Sequence, residues 1–260
     1  MAARIRFLLF CFIVLVLPGG LMALGDSGVG DLGKLALILS PAVAGLALNR
    51  GLGKRSHPIK WRDAGLAAVI TLTIAGLALA VALLAGTSSF SGQTRSPQDA
   101  AALIGATLLT SVLEELGWAG GGLALALKAF GRRIGVLILG LVWAAWHLIP
   151  TFLKIGLFPE LEAAPPLMLG VFVIACVIYR ELLTRFVERS GTWLGAAAGH
   201  AAPNMMLTAF VAFSGLVVLQ QPEAWPLFPA PGGALFAALA LAAVLVLRPK
   251  IGASRPAHVG

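Results

Sequence analysis

Apolar residues occupy long, nearly charge-free stretches along the whole chain. A helix needs about 20 such residues to cross the hydrocarbon core of a bilayer. Seven stretches are separated by charged residues, and an eighth lies between Asp99 and Lys128, interrupted only by Glu114 and Glu115. The pattern predicts an all-α, polytopic membrane helix bundle of about eight transmembrane helices. The seven stretches are 7–25, 35–49, 64–94, 134–153, 163–179, 190–222 and 224–247.

Two of these stretches have unusual lengths. The stretch 35–49 is short, which favours a tilted or partial span. The stretch 190–222 is too long for one helix, so we expect it to leave the membrane near Gln220, Gln221 and Pro222. We divide the chain into three regions: N-terminal helices in 1–98, a core in 99–219, and a last span with a basic tail in 220–260.

The composition supports membrane insertion and excludes a soluble globular domain. Hydrophobic residues make up 59% of the chain and charged residues 12%, and the mean hydropathy is +0.94. An ordinary soluble domain is about 45–50% apolar and about 25% charged. Cys11 and Cys176 both lie inside apolar runs, which favours a packing role over a disulfide or a cysteine metal site.

The basic residues predict the orientation. When the ends of the spans alternate between the two sides, 16 of the 19 basic residues fall on one side. Basic loops stay cytoplasmic, so we expect both termini in the cytoplasm and no nucleic-acid partner for the net charge of +8. The cytoplasmic set is Arg4, Arg6, Arg50, Lys54, Arg55, Lys60, Arg62, Lys128, Arg132, Arg133, Arg180, Arg185, Arg189, Arg248, Lys250 and Arg255. The opposite side has Lys34, Arg95 and Lys154 beside Asp26, Asp31, Asp99, Glu160, Glu162 and Glu223.

The first apolar run leaves two interpretations open. Arg4 and Arg6 followed by an apolar core could form a secretory signal peptide, but its 19 residues are long for that purpose. We therefore expect the run to be a retained transmembrane helix.

Five polar residues lie inside the predicted spans: Glu114 and Glu115 in the fourth, His147 in the fifth, and His200 and Asn204 in the seventh. Counted from the nearest cytoplasmic charge, they are 11 to 15 residues deep, or about 16–22 Å. Polar residues at such depth raise the free energy of membrane insertion. When several of them lie at the same depth, they are candidates for a functional site. We expect them around one cavity that reaches the cytoplasmic side.

The residue types favour hydrolysis. A carboxylate and an imidazole can hold and activate a water, while imidazole and amide donors can stabilise an oxyanion. Each residue alone could instead be a packing partner between helices. Zinc held by Glu114, His147 and His200 is a further alternative, although no H-E-x-x-H pair supports it. A transporter or proton relay is also conceivable, but no inverted repeat is visible.

Three motifs carry a family resemblance: EELGWA at 114–119, WAAWH at 143–147 and HAAPN at 200–204. In this order they resemble the CPBP intramembrane proteases, the family of type II CAAX prenyl proteases and bacteriocin-processing, Abi-like proteins. Their signature is EExxxR, (F/W)xxxH and HxxxN/D on successive helices of an eight-helix core. The resemblance is to bacterial-looking members, and it implies an endopeptidase in a bacterial cell membrane that acts on membrane-associated or prenylated substrates.

The resemblance also implies roles for the five residues. Glu114 matches the general base, His147 its partner in holding the water, and His200 and Asn204 the oxyanion pocket. Glu115 matches the second, supporting glutamate. No cofactor is implied with certainty.

The signature arginine is missing, because position 119 is Ala119. We therefore expect Glu115 to be either protonated or paired with a group from another helix. A catalytically silent relative that binds membrane peptides is the alternative that this departure suggests.

Overall fold

The structure is a computed structural model that describes residues 2–24, 28–49, 60–218 and 222–247. Several residues used in the topology argument lie outside this part of the chain. They are Asp26, Arg50, Lys54, Arg55, Gln220, Gln221, Arg248, Lys250 and Arg255.

Each of the eight predicted spans corresponds to a helix within the described residues, so the all-α polytopic bundle is confirmed. The helices are α1 (Ala2–Met22), α2 (Gly28–Leu48), α3 (Trp61–Leu84), α4 (Pro97–Phe130), α5 (Arg132–Phe152), α6 (Pro166–Ser190), α7 (Leu194–Ser214) and α8 (Ala234–Val246). Six of them, α1 to α6, are long and apolar enough to cross a membrane by length and composition. Of the other two, α7 has 21 residues but contains His200 and Asn204, and α8 has 13.

Two boundaries differ from the expectation. The second span is a full helix of 21 residues, not a partial one, because it begins at Gly28 and includes Asp31 and Lys34. The seventh helix ends at Ser214, earlier than expected, where Gly215 adopts a left-handed conformation with φ +61°. Beyond that glycine the strand β2 (Leu216–Val217) pairs antiparallel with β1 (Ser89–Phe90).

Glycines let α2 and α4 approach each other closely. A Cβ at Gly117 would lie 2.0 Å from the carbonyl carbon of Pro41, and one at Gly121 would lie 2.2 Å from Cα of Gly45. The turn Trp118–Gly122 is π-helical, yet α4 continues through it to Phe130. The contact with α2 therefore fixes α4 immediately after Glu114, without breaking the helix.

The polar residues are carried by the inner helices of the bundle. Helix α7 packs against α3 and α4, and α6 packs against α5, α7 and α8. Large apolar side chains on the outer faces, among them Val69, Leu137 and Ile174, are exposed. Such faces suit contact with lipid, so the site is built from helix faces that turn away from the bilayer.

Candidate active site

Four of the five predicted site residues line one cavity of about 210 Å³. Glu114 comes from α4, His147 from α5, and His200 and Asn204 from α7. Glu115 is not part of the cavity wall; it is fully buried behind it. The two neighbouring carboxylates therefore face different surroundings, as expected for adjacent helical residues about 100° apart.

Glu114 lines the cavity with one carboxylate oxygen uncommitted. Its side chain is buried, and within the described residues its Oε2 atom has no hydrogen-bond partner. Buried polar atoms are nearly always paired, so an orphaned oxygen next to a cavity is unusual. The Glu114 carboxylate, which lines the cavity, therefore has a hydrogen-bonding capacity that the protein leaves unused.

The orientation of the His147 ring is set by its own helix. Its Nδ1 atom lies 3.0 Å from the carbonyl oxygen of Trp143, one helical turn earlier. A carbonyl oxygen only accepts hydrogen bonds, so Nδ1 donates and carries the proton. In the neutral ring Nε2 is then unprotonated, which makes it a hydrogen-bond acceptor.

The second histidine is held by Glu115. Nδ1 of His200 lies 3.0 Å from Oε1 of Glu115, in a contact buried from solvent. Because Nδ1 donates to the carboxylate, Nε2 is the His200 nitrogen left for the cavity. Glu115 thus acts on the site through His200.

Glu115 is paired with Arg180 of α6. The guanidinium donates from Nη1 to Oε2 at 2.8 Å and from Nη2 to Oε1 at 3.0 Å. Both side chains are at most 1% exposed. The guanidinium also lies over the Trp143 ring, with Cζ 4.3 Å from the ring centroid. Of the two expectations for Glu115, protonation is therefore wrong and pairing with another helix is correct.

Placing Arg180 in the cytoplasmic basic set was wrong. Sequence reasoning ended that span at Tyr179 because a charge follows, but α6 continues to Ser190. A 25-residue helix is long enough to carry Arg180 well inside the bundle, ten residues before its C-terminal end at Ser190. The available signal was a buried carboxylate without a partner in its own helix, which requires a cation from elsewhere.

Asn204 has a partner that sequence reasoning missed. Its Nδ2 atom donates to Oγ of Ser111 at 3.3 Å. Ser111 lies one helical turn before Glu114 on α4, so it joins the face that carries the carboxylate. The contact orients the Asn204 amide beside Glu114.

The cavity opens at the end of the bundle opposite the basic loops. Its wall includes Phe158, Glu160 and Leu161 from the α5–α6 connection, and residues from Trp225 to Gly232 before α8. Glu160 is exposed, and Phe158 and Phe228 are half-buried. The expectation that the cavity reaches the side of the basic loops is therefore wrong. The spans do place the polar residues together, but the connections between the spans form the entrance.

The upper wall of the cavity is aromatic. Phe158 and Phe172 pack against the His147 ring, with centroid distances of 5.0 and 5.5 Å. Trp225 and Phe228 stack at 4.5 Å on the other side. An extended chain entering here would meet apolar rings before it reached the polar groups.

The zinc alternative does not fit the donor geometry. Among the described residues, no three His, Cys, Asp or Glu side chains are grouped so that they could hold a metal ion. We derive no chemical step through a metal.

Comparison with known proteins supports the motif assignment. The family model described as Type II CAAX prenyl endopeptidase Rce1-like matches residues 96–206. No curated protein matches the chain. The matched segment contains all three motifs, the four polar residues that line the cavity, and the buried pair Glu115 and Arg180. The match over residues 96–206 therefore confirms the recognised resemblance to the CPBP intramembrane proteases for this segment of the chain.

Proposed function

We propose that the chain is an intramembrane endopeptidase in which Glu114 activates a water for attack on a peptide bond. The observation that carries this proposal is the pairing of two acceptors at one cavity. Glu114 contributes a buried carboxylate oxygen without a partner among the described residues, and His147 contributes an unprotonated Nε2. Two acceptors suit a water, which donates two hydrogen bonds and presents its lone pair to a carbonyl carbon.

The reaction balances with residues of this chain alone. Glu114 takes a proton from water as the oxygen bonds to the carbonyl carbon, and the carbonyl oxygen becomes an oxyanion. The Asn204 amide donates a hydrogen bond to that oxyanion. The His200 ring donates a second one from Nε2 when both of its nitrogens carry protons. Glu114 then returns the proton to the leaving amine as the C–N bond breaks, and the products are a carboxylic acid and an amine.

Arg180 and Glu115 support this chemistry from behind the cavity. The bidentate ion pair fixes the Glu115 carboxylate, and the carboxylate fixes the His200 ring through Nδ1. A donor that is already aimed at the developing charge does not need to reorganise during the reaction. Arg180 is thus a positioning residue, since it acts through Glu115 and His200.

The walls favour an apolar peptide segment. Four aromatic rings surround the approach to Glu114, and they belong to Phe158, Phe172, Trp225 and Phe228. Apolar walls with a few convergent polar groups are typical of ligand sites. We infer that the substrate is membrane-associated and places apolar side chains next to the scissile bond.

The silent-relative hypothesis rested on Ala119. Its motivation was a Glu115 without a cation, and Arg180 supplies that cation. The geometry therefore favours the protease over a protein that only binds peptides.

The test is a screen of fluorogenic peptides with the purified protein in detergent. We expect cleavage by the wild type and none by Glu114→Gln, because an amide cannot take the proton from water. The control is Glu188→Gln, which removes a carboxylate that pairs with Arg132 away from the cavity, and which should retain turnover. Cleavage by the wild type should persist in the presence of a metal chelator. Turnover by Glu114→Gln, or binding without cleavage by the wild type, would refute the proposal.

A further inference from the structure

The two ends of the bundle differ in charge, and the structure shows which helix termini lie together. At one end, Arg132 of α5 pairs with Glu188 of α6 at 2.7 Å. Arg189 of α6 lies 3.7 Å from Asp63 of α3. These contacts bring the basic termini of three helices to the same face of the bundle. For these residues, the charge bias of the sequence is therefore a difference between two faces of one body.

The N-terminus of the bundle and the end of α4 belong to the same basic face. Nε of Arg4 donates to the carbonyl oxygen of Ala129 at 3.3 Å. Lys128 is in the last turn of α4, next to that carbonyl. Five helices, α1 and α3 to α6, thus contribute basic residues to a single face. In membrane proteins such a face is the cytoplasmic one.

The cavity opens at the other face. Its rim is formed by the segments around Glu160 and Pro231, which connect α5 to α6 and precede α8. The same α5–α6 connection contains Glu162 and one basic residue, Lys154, so acidic residues outnumber basic ones next to the rim. No residue of the basic face lines the cavity among those the structure describes.

A packed layer separates the cavity from the basic face. Leu139, Leu182 and Leu183 have no exposed surface, and Phe186 is 2% exposed. A Cβ at Gly199 would lie 2.8 Å from the Phe186 ring, so α6 and α7 leave no channel there. Close-packed side chains of this kind exclude a peptide.

We propose that the cavity is loaded from the non-cytoplasmic side of the membrane, and that its substrates are peptide segments exposed on that side. This inference rests on the proposed function for its substrate, but its geometry is independent of activity. Segments of exported or membrane-anchored proteins can reach the rim at Glu160. A chain whose scissile bond lies at the cytoplasmic surface, such as a cytosolic protein anchored by its C-terminus, cannot reach it.

The orientation is tested by cysteine labelling in intact bacterial cells that express the full chain. Both natural cysteines are first replaced, by Cys11→Ser and Cys176→Ser, so that each introduced cysteine is the one that the reagent labels. Glu160→Cys reports on the rim, and Arg133→Cys reports on the basic face; both parent residues are exposed. We expect a membrane-impermeant maleimide to label Glu160→Cys in intact cells, and Arg133→Cys only after permeabilisation. The reverse pattern would overturn the proposal. Ala163→Cys, on the same connection, is a second rim reporter if Glu160→Cys does not accumulate.

Substrate access is tested with sealed membrane vesicles of both orientations and a fluorogenic peptide cleaved by the purified protein. Peptide added outside right-side-out vesicles should be cleaved by the wild type and not by Glu114→Gln. Cleavage restricted to inside-out vesicles would contradict the inference. If no peptide is cleaved in detergent, the proposed function fails, whereas the labelling experiment still decides which way the cavity opens.

Discussion

Arg180 binds Glu115 through two parallel hydrogen bonds of 2.8 and 3.0 Å, across the interface between α6 and α4. The family signature places an arginine at position 119, four residues after this glutamate on the same helix. In this chain the carboxylate is paired from a neighbouring helix. The charge of the signature is retained although its position in the sequence is different.

Removing the arginine should destabilise the protein strongly. In Arg180→Leu the Glu115 carboxylate would remain buried without its cation, which costs about 3–5 kcal/mol when one partner of a buried pair is deleted. Arg180→Lys retains a charge but loses the planar, two-pronged geometry, so it should lie between wild type and Arg180→Leu. Thermal unfolding in detergent measures both.

The control for the buried Arg180–Glu115 pair is an exposed ion pair. Lys34 and Asp31 are 3.1 Å apart with exposed fractions of 37% and 77%. Lys34→Gln should change stability by less than about 1 kcal/mol, since exposed ion pairs contribute little. Equal losses for Lys34→Gln and Arg180→Leu would contradict the assignment of a structural buried pair.

The effect of an arginine at position 119 on stability should depend on whether Arg180 is present. Ala119 is 7% exposed, so Ala119→Arg alone adds a second buried cation and should lower both stability and activity. In the double variant Ala119→Arg/Arg180→Leu the new side chain replaces the missing charge. We expect it to be more stable than the sum of the two single losses predicts. Additive losses would show that position 119 no longer reaches Glu115.

The two histidines should behave as one unit in catalysis. His147→Ala removes an acceptor for the water, and His200→Ala removes a donor to the oxyanion. Each should lower kcat by about 10²–10³-fold. The double variant should lose much less than the product, because each residue depends on the other's contribution to the same step. Steady-state kinetics on one fluorogenic peptide gives the comparison, and multiplicative losses would indicate two independent structural roles.

The close approach of α2 and α4 predicts a difference between two glycines of the same helix. Gly117→Ala would place a methyl group 2.0 Å from the Pro41 backbone, and overpacking of this kind costs about 1–3 kcal/mol or more. Gly105→Ala would meet nothing within 4 Å and should be neutral or slightly stabilising. Unfolding temperatures of the two variants in detergent provide the measurement. A stable Gly117→Ala protein would show that the helices can separate without cost.

The positions of the helices could be predicted because apolar length and charge both mark the spans. The convergence of Glu114, His147, His200 and Asn204 could be predicted because depth in a membrane helix follows from residue count. The partner of Glu115 could not be predicted, because span boundaries drawn at the first charged residue excluded Arg180 from its helix. The direction in which the cavity opens could not be predicted either, because Phe158 and Trp225 belong to connections whose apolar residues follow no periodic pattern. The three-region division and the cytoplasmic termini stay predictions, as does the bacterial membrane.

Pairing Glu115 across a helix interface has a consequence for biosynthesis. Helix α4 is synthesised first, and Arg180 follows Glu115 by 65 residues. At about 5–20 residues per second, that interval is roughly 3–13 s. During it the middle of α4 has two carboxylates and no cation beside them, because the first basic residue of this helix is Lys128 in its last turn. A signature arginine would instead be inserted together with its glutamate. A lone charge at the bilayer centre costs about 2.5–3.5 kcal/mol on insertion scales. The α4 segment should therefore integrate inefficiently when expressed alone, and efficiently once α6 has been synthesised.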